Sequence, residues 1–316
     1  MFKDKACIVG IGDTPYCRKP GSGMSEAALQ LKAALAAIED AGLKASQIDG
    51  ILPFPNLGKA EAMAASLGCN NLRFAATLHM GGAAPVAGLR LAALAVSSGA
   101  ADYVLVPGAW NGFSGARVRE TTSQDVHSIP GGAIARDFYI PYGYTAPPQW
   151  YALMARRHMH EFGTTHEQLG AVAIAMRKHA NLNPAALMHG KPLTLEQYLA
   201  SPMIADPFRK EDCCLISDGG AAYIMTSLER ARDLKQPIIA VLGVGVGNAK
   251  SGVYWSQQGD FTATPQEFAA PRSFAMAGVK PDDVDVLACY DPFTIVSLMQ
   301  IEDMGFCAKG DGGTFV

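Results

Sequence analysis

Most features that assign a chain to a class at first reading are missing here. Its 316 residues hold no unbroken apolar run near the roughly 18 residues that a membrane span needs. The N-terminal MFKDKACIVGIGD enters a strand-like run too soon, and with too much charge, for a signal peptide. A cytoplasmic location is the default expectation. There is no basic block and the net charge is −3, which removes the electrostatic case for nucleic acid. The seven cysteines, Cys7, Cys17, Cys69, Cys213, Cys214, Cys289 and Cys307, form no C-x-x-C pair. An odd count in such a chain argues against a disulfide framework. The adjacent Cys213 and Cys214 read as strand neighbours on opposite faces, not as metal ligands. Histidines include His79, His127, His158 and His160, with no H-E-x-x-H or other ligand spacing. No metal site is expected. GVGVGN at 243–248 falls short of a dinucleotide loop, because Lys250 stands where the third glycine belongs.

What is present is apolar material, 49% of the residues against 17% charged, enough for one large or two ordinary folded units. It is organised as a repeat. AGLKASQIDGILPF (41–54) aligns without gaps on AGVKPDDVDVLACY (277–290), at an offset of 236 residues. A helix is expected before each copy, over 25–40 and 264–276, ended by Gly42 and Gly278 as C-caps. Before each helix lies an apolar run, ACIVGIG (6–12) or PIIAVLGVGVG (237–247). Continuous rather than alternating, these runs suggest parallel strands buried on both faces. Each unit therefore reads strand, crossover helix, strand. The expected organisation is an N-terminal half over 1–235, carrying a helical insertion at about 109–200, and a C-terminal half over 236–316. By the same offset Val316 matches Met80, so the second half is expected to be a truncated copy.

The insertion should hold helices starting near Pro147, at Thr164 with Glu167 closing a capping box, and at Thr194 with Gln197. Asp218-Gly219-Gly220 is a turn signal between strands. Arg156, Arg157, Arg177 and Lys178 offer charge to a phosphate-bearing ligand, but solvated helix faces are the stronger reading. One further stretch, LHMGGAAPVAGLRLAAL from Leu78, runs into a periodic helix through a glycine turn. It is a presentation site without side-chain chemistry at Gly81, Gly82 or Ala83.

CIVGIGDTP, IEDAGLKASQIDGI, SSGAADYVLVPGA, IADPFRKEDCCLISDGGAAYIMTS and YDPFTI together resemble the thiolase superfamily. The likeness is to its sterol-carrier-protein-type thiolases, lipid-transfer proteins and steroid side-chain aldolases, and it covers essentially the whole chain. It implies an α/β fold of duplicated βαβ halves in five layers, αβαβα, with an inserted helical loop domain. In such thiolases a cysteine nucleophile opens the helix, where the N-terminus lowers its pKa; the matching position is Gly82. Where that branch has histidine before Asp-x-Phe, this chain has Tyr290, followed by Asp291, Pro292 and Phe293. The aldolases use such a tyrosine as an acid/base group. The resemblance thus implies retro-aldol cleavage of a β-hydroxyacyl-CoA, with Tyr290 and Asp291 catalytic. His79, Gly81, Gly82 and Ala83 would bind substrate, their amides near the thioester oxygen. Coenzyme A would enter only as part of the substrate, with no other cofactor. A homodimer and a small OB-fold or zinc-ribbon partner protein are implied. Alternatives are C-acyl transfer of the acetyl-CoA acetyltransferase kind and a non-catalytic acyl-CoA or lipid-binding subunit.

Overall fold

The computed structural model describes residues 5–53, 60–78, 80–115, 134–248 and 259–316. His79, His127 and Lys250 lie outside that set. The chain forms two compact units. One comprises Met1–Gly115, Ile216–Val246 and Pro271–Val279; the other comprises Ala116–Leu215, Gly247–Ala270 and Lys280–Val316. The strands are β1 (Ala6–Asp13), β2 (Gly50–Ile51), β3 (Phe74–Ala75), β4 (Val104–Asn111), β5 (Met203–Ala205), β6 (Phe208–Arg209), β7 (Asp218–Ser227) and β8 (Ile239–Ala240).

The first unit is built on a six-stranded sheet of order β3-β2-β4-β7-β1-β8. β2 runs parallel to β3 and β4, while β7 runs antiparallel to both β4 and β1. Over Ala6–Gly10 β1 is buried on both faces, as its continuous apolar run predicts, while Ile11 is exposed; its direct partners β7 and β8 are antiparallel. Apolar continuity reports that both faces are covered; it does not report direction. Cys7 and Val9 pack with Ala33, Ala34, Ala37 and Ala41 of helix α1 (Glu26–Ala41). Ala6 and Ile8 on the other face pack with Ala92, Ala93 and Val96 of helix α3 (Ala84–Ser97); a shorter helix, α2 (Ala60–Leu67), lies between them in sequence. Small side chains let α1 approach so closely that a Cβ on Gly10 would fall 2.7 Å from that of Ala41. Ser25 caps α1 by accepting the Ala28 N–H at 3.2 Å, and Gly42 ends it in the left-handed region at φ 71°.

The second unit contains α4 (Pro147–Phe162), α5 (His166–Leu182), α6 (Leu195–Leu199) and the β5–β6 hairpin. Helix α7 (Gln266–Ala277) divides its residues between the two units, and α8 (Thr294–Asp303) lies in the second. Its core gathers Ala152, Met154, Leu169, Tyr198, Phe208, Phe293, Ile295, Leu298 and Met299. The cap of α5 sits one residue later than the sequence suggests. Thr165 accepts the Gln168 N–H, and Gln168 Oε1 accepts the Thr165 N–H. Thr164 is instead buried, its Oγ1 2.7 Å from His158 Nδ1.

The repeat is legible in hydrogen bonds. Leu43 N–H donates to Ile38 O, and Val279 N–H donates to Phe274 O. Short 3-10 turns follow at Ala45–Gln47 and Pro281–Asp283. Gln47 Oε1 accepts the Lys44 N–H, and Asp283 Oδ2 accepts the Lys280 N–H, each at 2.8 Å. Then the copies diverge: Gly50–Ile51 enter the sheet as β2, but residues 284–290 carry no strand and Val286 is 85% exposed. In the expected strand at 237–247 only Ile239–Ala240 pair. Its glycines serve close approach to α7, where a Cβ on Gly243 would fall 2.9 Å from Ala277 N. Asp218-Gly219-Gly220 is also not a turn but the start of β7. A Cβ on Gly220 would fall 2.9 Å from that of Ala109, so that glycine fits a crowded sheet.

Candidate active site

In the first unit, the glycine turn is a 3-10 turn over Gly81–Ala83 that feeds α3. Gly81 stands at φ 53° and all three residues are exposed. Pro85 starts α3 with the φ that a first helical turn requires, and its carbonyl accepts the Tyr223 hydroxyl of β7 at 2.6 Å. One turn on, Gly88 lets α3 settle on the sheet, a Cβ there lying 3.3 Å from Val106 of β4. The turn is thereby fixed from below. Ala83 N–H donates to Met80 O at 3.1 Å, so its amide is committed within the turn. The thiol nearest to this turn in sequence, Cys69, donates to Ala45 O at 3.3 Å, and burial pushes its pKa up. Both facts work against a thiolate.

In the second unit, the segment Tyr290–Thr294 is held at Tyr290, Pro292, Phe293 and Thr294. Gln300, buried in α8, grips both backbone groups of Tyr290. Its Oε1 accepts the Tyr290 N–H at 3.3 Å and its Nε2 donates to the Tyr290 carbonyl at 2.5 Å. Pro292 O accepts the Cys214 N–H at 3.0 Å, and Cys213 bridges Phe293 in antiparallel fashion. The Phe293 ring lies between Phe208, stacked at 5.1 Å, and Tyr151, tilted at 4.7 Å. Thr294 Oγ1 donates to Asp212 Oδ1 at 2.6 Å, and the Tyr198 hydroxyl donates to the same carboxylate.

The Tyr290 side chain is the part left open. Tyr290 is 48% exposed, and among the described residues nothing hydrogen-bonds its hydroxyl. Desolvation, then the nearby Cys214 and Asp291, raise its pKa above the ordinary tyrosine value. The phenol is therefore neutral at physiological pH, suited to donate or relay a proton rather than to act as a resident base. Asp291 is exposed at the surface, yet partial desolvation raises its pKa, making it a better proton acceptor than an ordinary carboxylate. Tyr151, beside Tyr290, is pushed up to about 12 by burial and by Tyr290 and Cys214.

Sequence reasoning missed Tyr151 and Gln300 and set Cys214 aside. The one available signal was Gln300 itself, an amide inside the apolar helix TIVSLMQIED. The basic candidates are engaged elsewhere. Arg156 pairs with Asp206, Arg157 with Glu161, and Arg177 donates to Lys191 O at 2.9 Å; Lys178 is exposed. His158 is wholly buried, its Nε2 3.0 Å from Glu302 Oε2, which ties α4 to α8. Among the described residues no His, Cys, Asp and Glu cluster could hold a metal, and no helix is long and apolar enough to cross a membrane.

Residues 247–316 match the family described as Thiolase C-terminal domain-like. A 17-hydroxy-3-oxo-4-pregnene-20-carboxyl-CoA lyase of Mycobacterium tuberculosis is 37% identical, over 100% of this chain and 82% of the relative. A steroid side-chain-cleaving aldolase of Thermomonospora curvata is also 37% identical, over 98% of this chain and 80% of the relative. The solved structure titled Ltp2-ChsH2(DUF35) aldolase superposes with a TM-score of 0.90 at 36% identity, covering 99% of this chain and 80% of that one.

Proposed function

The chain belongs to the thiolase superfamily, with its steroid side-chain-cleaving aldolases, and from that premise we propose that it cleaves a β-hydroxyacyl-CoA by a retro-aldol reaction. The acyl group would be a steroid or a similarly bulky lipid. The observation that carries this reading is Tyr290, with an unpartnered hydroxyl in a segment tethered at Tyr290, Pro292, Phe293 and Thr294. Its phenol takes the proton of the substrate hydroxyl while releasing its own to water, since no described residue hydrogen-bonds it, with the nearby Asp291 carboxylate as the eventual acceptor. The bond between the β-carbon and the α-carbon breaks, and the β-carbon becomes the ketone. The electron pair moves onto the α-carbon and the thioester oxygen as an enolate, and the proton taken from the hydroxyl returns to the α-carbon. By resemblance alone, the amides of Gly81 and Gly82 would serve that oxygen; the Ala83 amide is withdrawn from this role by its bond to Met80. His79 remains a substrate-binding candidate by resemblance alone. Coenzyme A is substrate, and the mechanism calls on no other cofactor. Gly82 offers no thiol and Cys69 is a poor one, which disfavours acyl transfer through a cysteine at this turn.

A small OB-fold or zinc-ribbon partner is part of this reading, supported by the similar Ltp2-ChsH2(DUF35) aldolase, which pairs two proteins; a homodimer is proposed by resemblance alone. The test is to supply a β-hydroxyacyl-CoA, with and without a candidate partner, and measure released ketone. Tyr290→Phe should lower kcat by about 10²–10⁴-fold with unchanged circular dichroism. Full activity in that variant would remove Tyr290 from the mechanism. A covalent acyl-enzyme seen by mass spectrometry would replace the reading with acyl transfer, and tight binding without turnover would replace it with a carrier role. Light scattering of the purified chain should give twice its mass.

A further inference from the structure

A backbone segment that carries a reacting side chain is normally held by a sheet ladder or a helix. Tyr290 has neither, since residues 284–290 are assigned no strand. Both its backbone groups are instead met by one side chain ten positions away, the Gln300 amide, through Oε1 at 3.3 Å and Nε2 at 2.5 Å. Nε2 also donates to Val296 O, one helical turn back, at 3.0 Å. Gln300 is 5% exposed, so the amide is locked by three hydrogen bonds where water does not compete. A primary amide is planar and both donates and accepts. It can therefore imitate the peptide group of a neighbouring strand. The opposite placement of its oxygen and nitrogen would set N–H against N–H and oxygen against carbonyl, so the network fixes the orientation.

We propose that Gln300 is the positioning residue for Tyr290, acting as a one-residue strand that sets the direction of the phenol toward substrate. This rests on the reading of Tyr290 as the acid/base group. A support of this kind controls rate more than binding, since a misplacement of about 1 Å at a reacting group can cost about 10²-fold.

The test is Gln300→Met, which keeps length and helix propensity but neither donates nor accepts as an amide does, assayed alone and combined with Tyr290→Phe. The single variant should lose about 10–10²-fold in kcat, with KM within about threefold. In the Tyr290→Phe background the same substitution should cost nothing further, because the residue it aims is already disabled. Unchanged kcat in Gln300→Met, or a loss that multiplies in the double variant, overturns the proposal. If Gln300→Met does not fold, Gln300→Asn keeps a buried amide too short to span both groups, and the same kcat loss and the same non-additivity are required of it. Should Tyr290→Phe itself be fully active, the function reading fails; should it be inactive while Gln300→Met matches the parent, only the positioning role fails.

Discussion

Gly81 stands at φ 53°, and a Cβ built there would meet nothing within 4 Å. The cost of a side chain at this position is therefore backbone strain alone. Gly81→Ala should destabilise by about 1–2 kcal/mol, and Gly81→Asn by less, as read from urea unfolding midpoints. Asp218 is fixed in a different way. Burial pushes its carboxyl up, but the Ser114 hydroxyl and the amides of Ser22, Ser114 and Phe113 outweigh that and hold its pKa at about 2, below the ordinary 3.8. A pKa depressed by folding contributes stability that is fully present above about pH 4 and is lost as pH falls through about 2. Asp218→Asn should thus be clearly less stable than the parent at pH 7. The gap should narrow toward pH 2, and a gap that stays constant would mean that the charge is not what the loop residues bind.

Helix ends were the most legible elements, because a cap is written in adjacent residues. Gly42, Thr194 and Gly278 stand where their sequence neighbourhoods predict. The cap of α5 was misplaced by one residue because Thr164 and Thr165 are chemically alike, and only burial separates them. The two now make distinct predictions. Thr165→Ala removes an exposed cap and should cost about 1 kcal/mol. Thr164→Val leaves His158 Nδ1 without its neighbour at 2.7 Å and should cost about 1–3 kcal/mol, both measurable by denaturant unfolding. Strands were less legible. The apolar runs 237–247 and 284–290 look like copies of paired segments, yet pairing needs a partner that sequence does not specify. The Tyr290 position was visible through its motif. Its supports were not, because Tyr151, Cys214 and Gln300 converge from separate stretches that no local period connects.

Across the whole molecule, separate cores serve the two candidate regions. The glycine turn rests on the alanine-rich sheet core around Ala92, Val104 and Val106. The Tyr290 segment rests on the core of Leu169, Phe208, Phe293 and Leu298. Leu298→Ala should cost about 2–5 kcal/mol. Amide exchange should then quicken in α4, α5 and α8 far more than in β1, β4 and β7; uniform quickening would show that the cores unfold together. The supports around 290–294 have one more consequence. They grip main chain at Tyr290 and Pro292, a ring at Phe293 and a hydroxyl at Thr294, and none of their hydrogen bonds touches the phenol. The frame is therefore indifferent to which side chain it displays. Tyrosine and histidine codons differ by a single base, so a lineage can exchange the two here without rebuilding the scaffold.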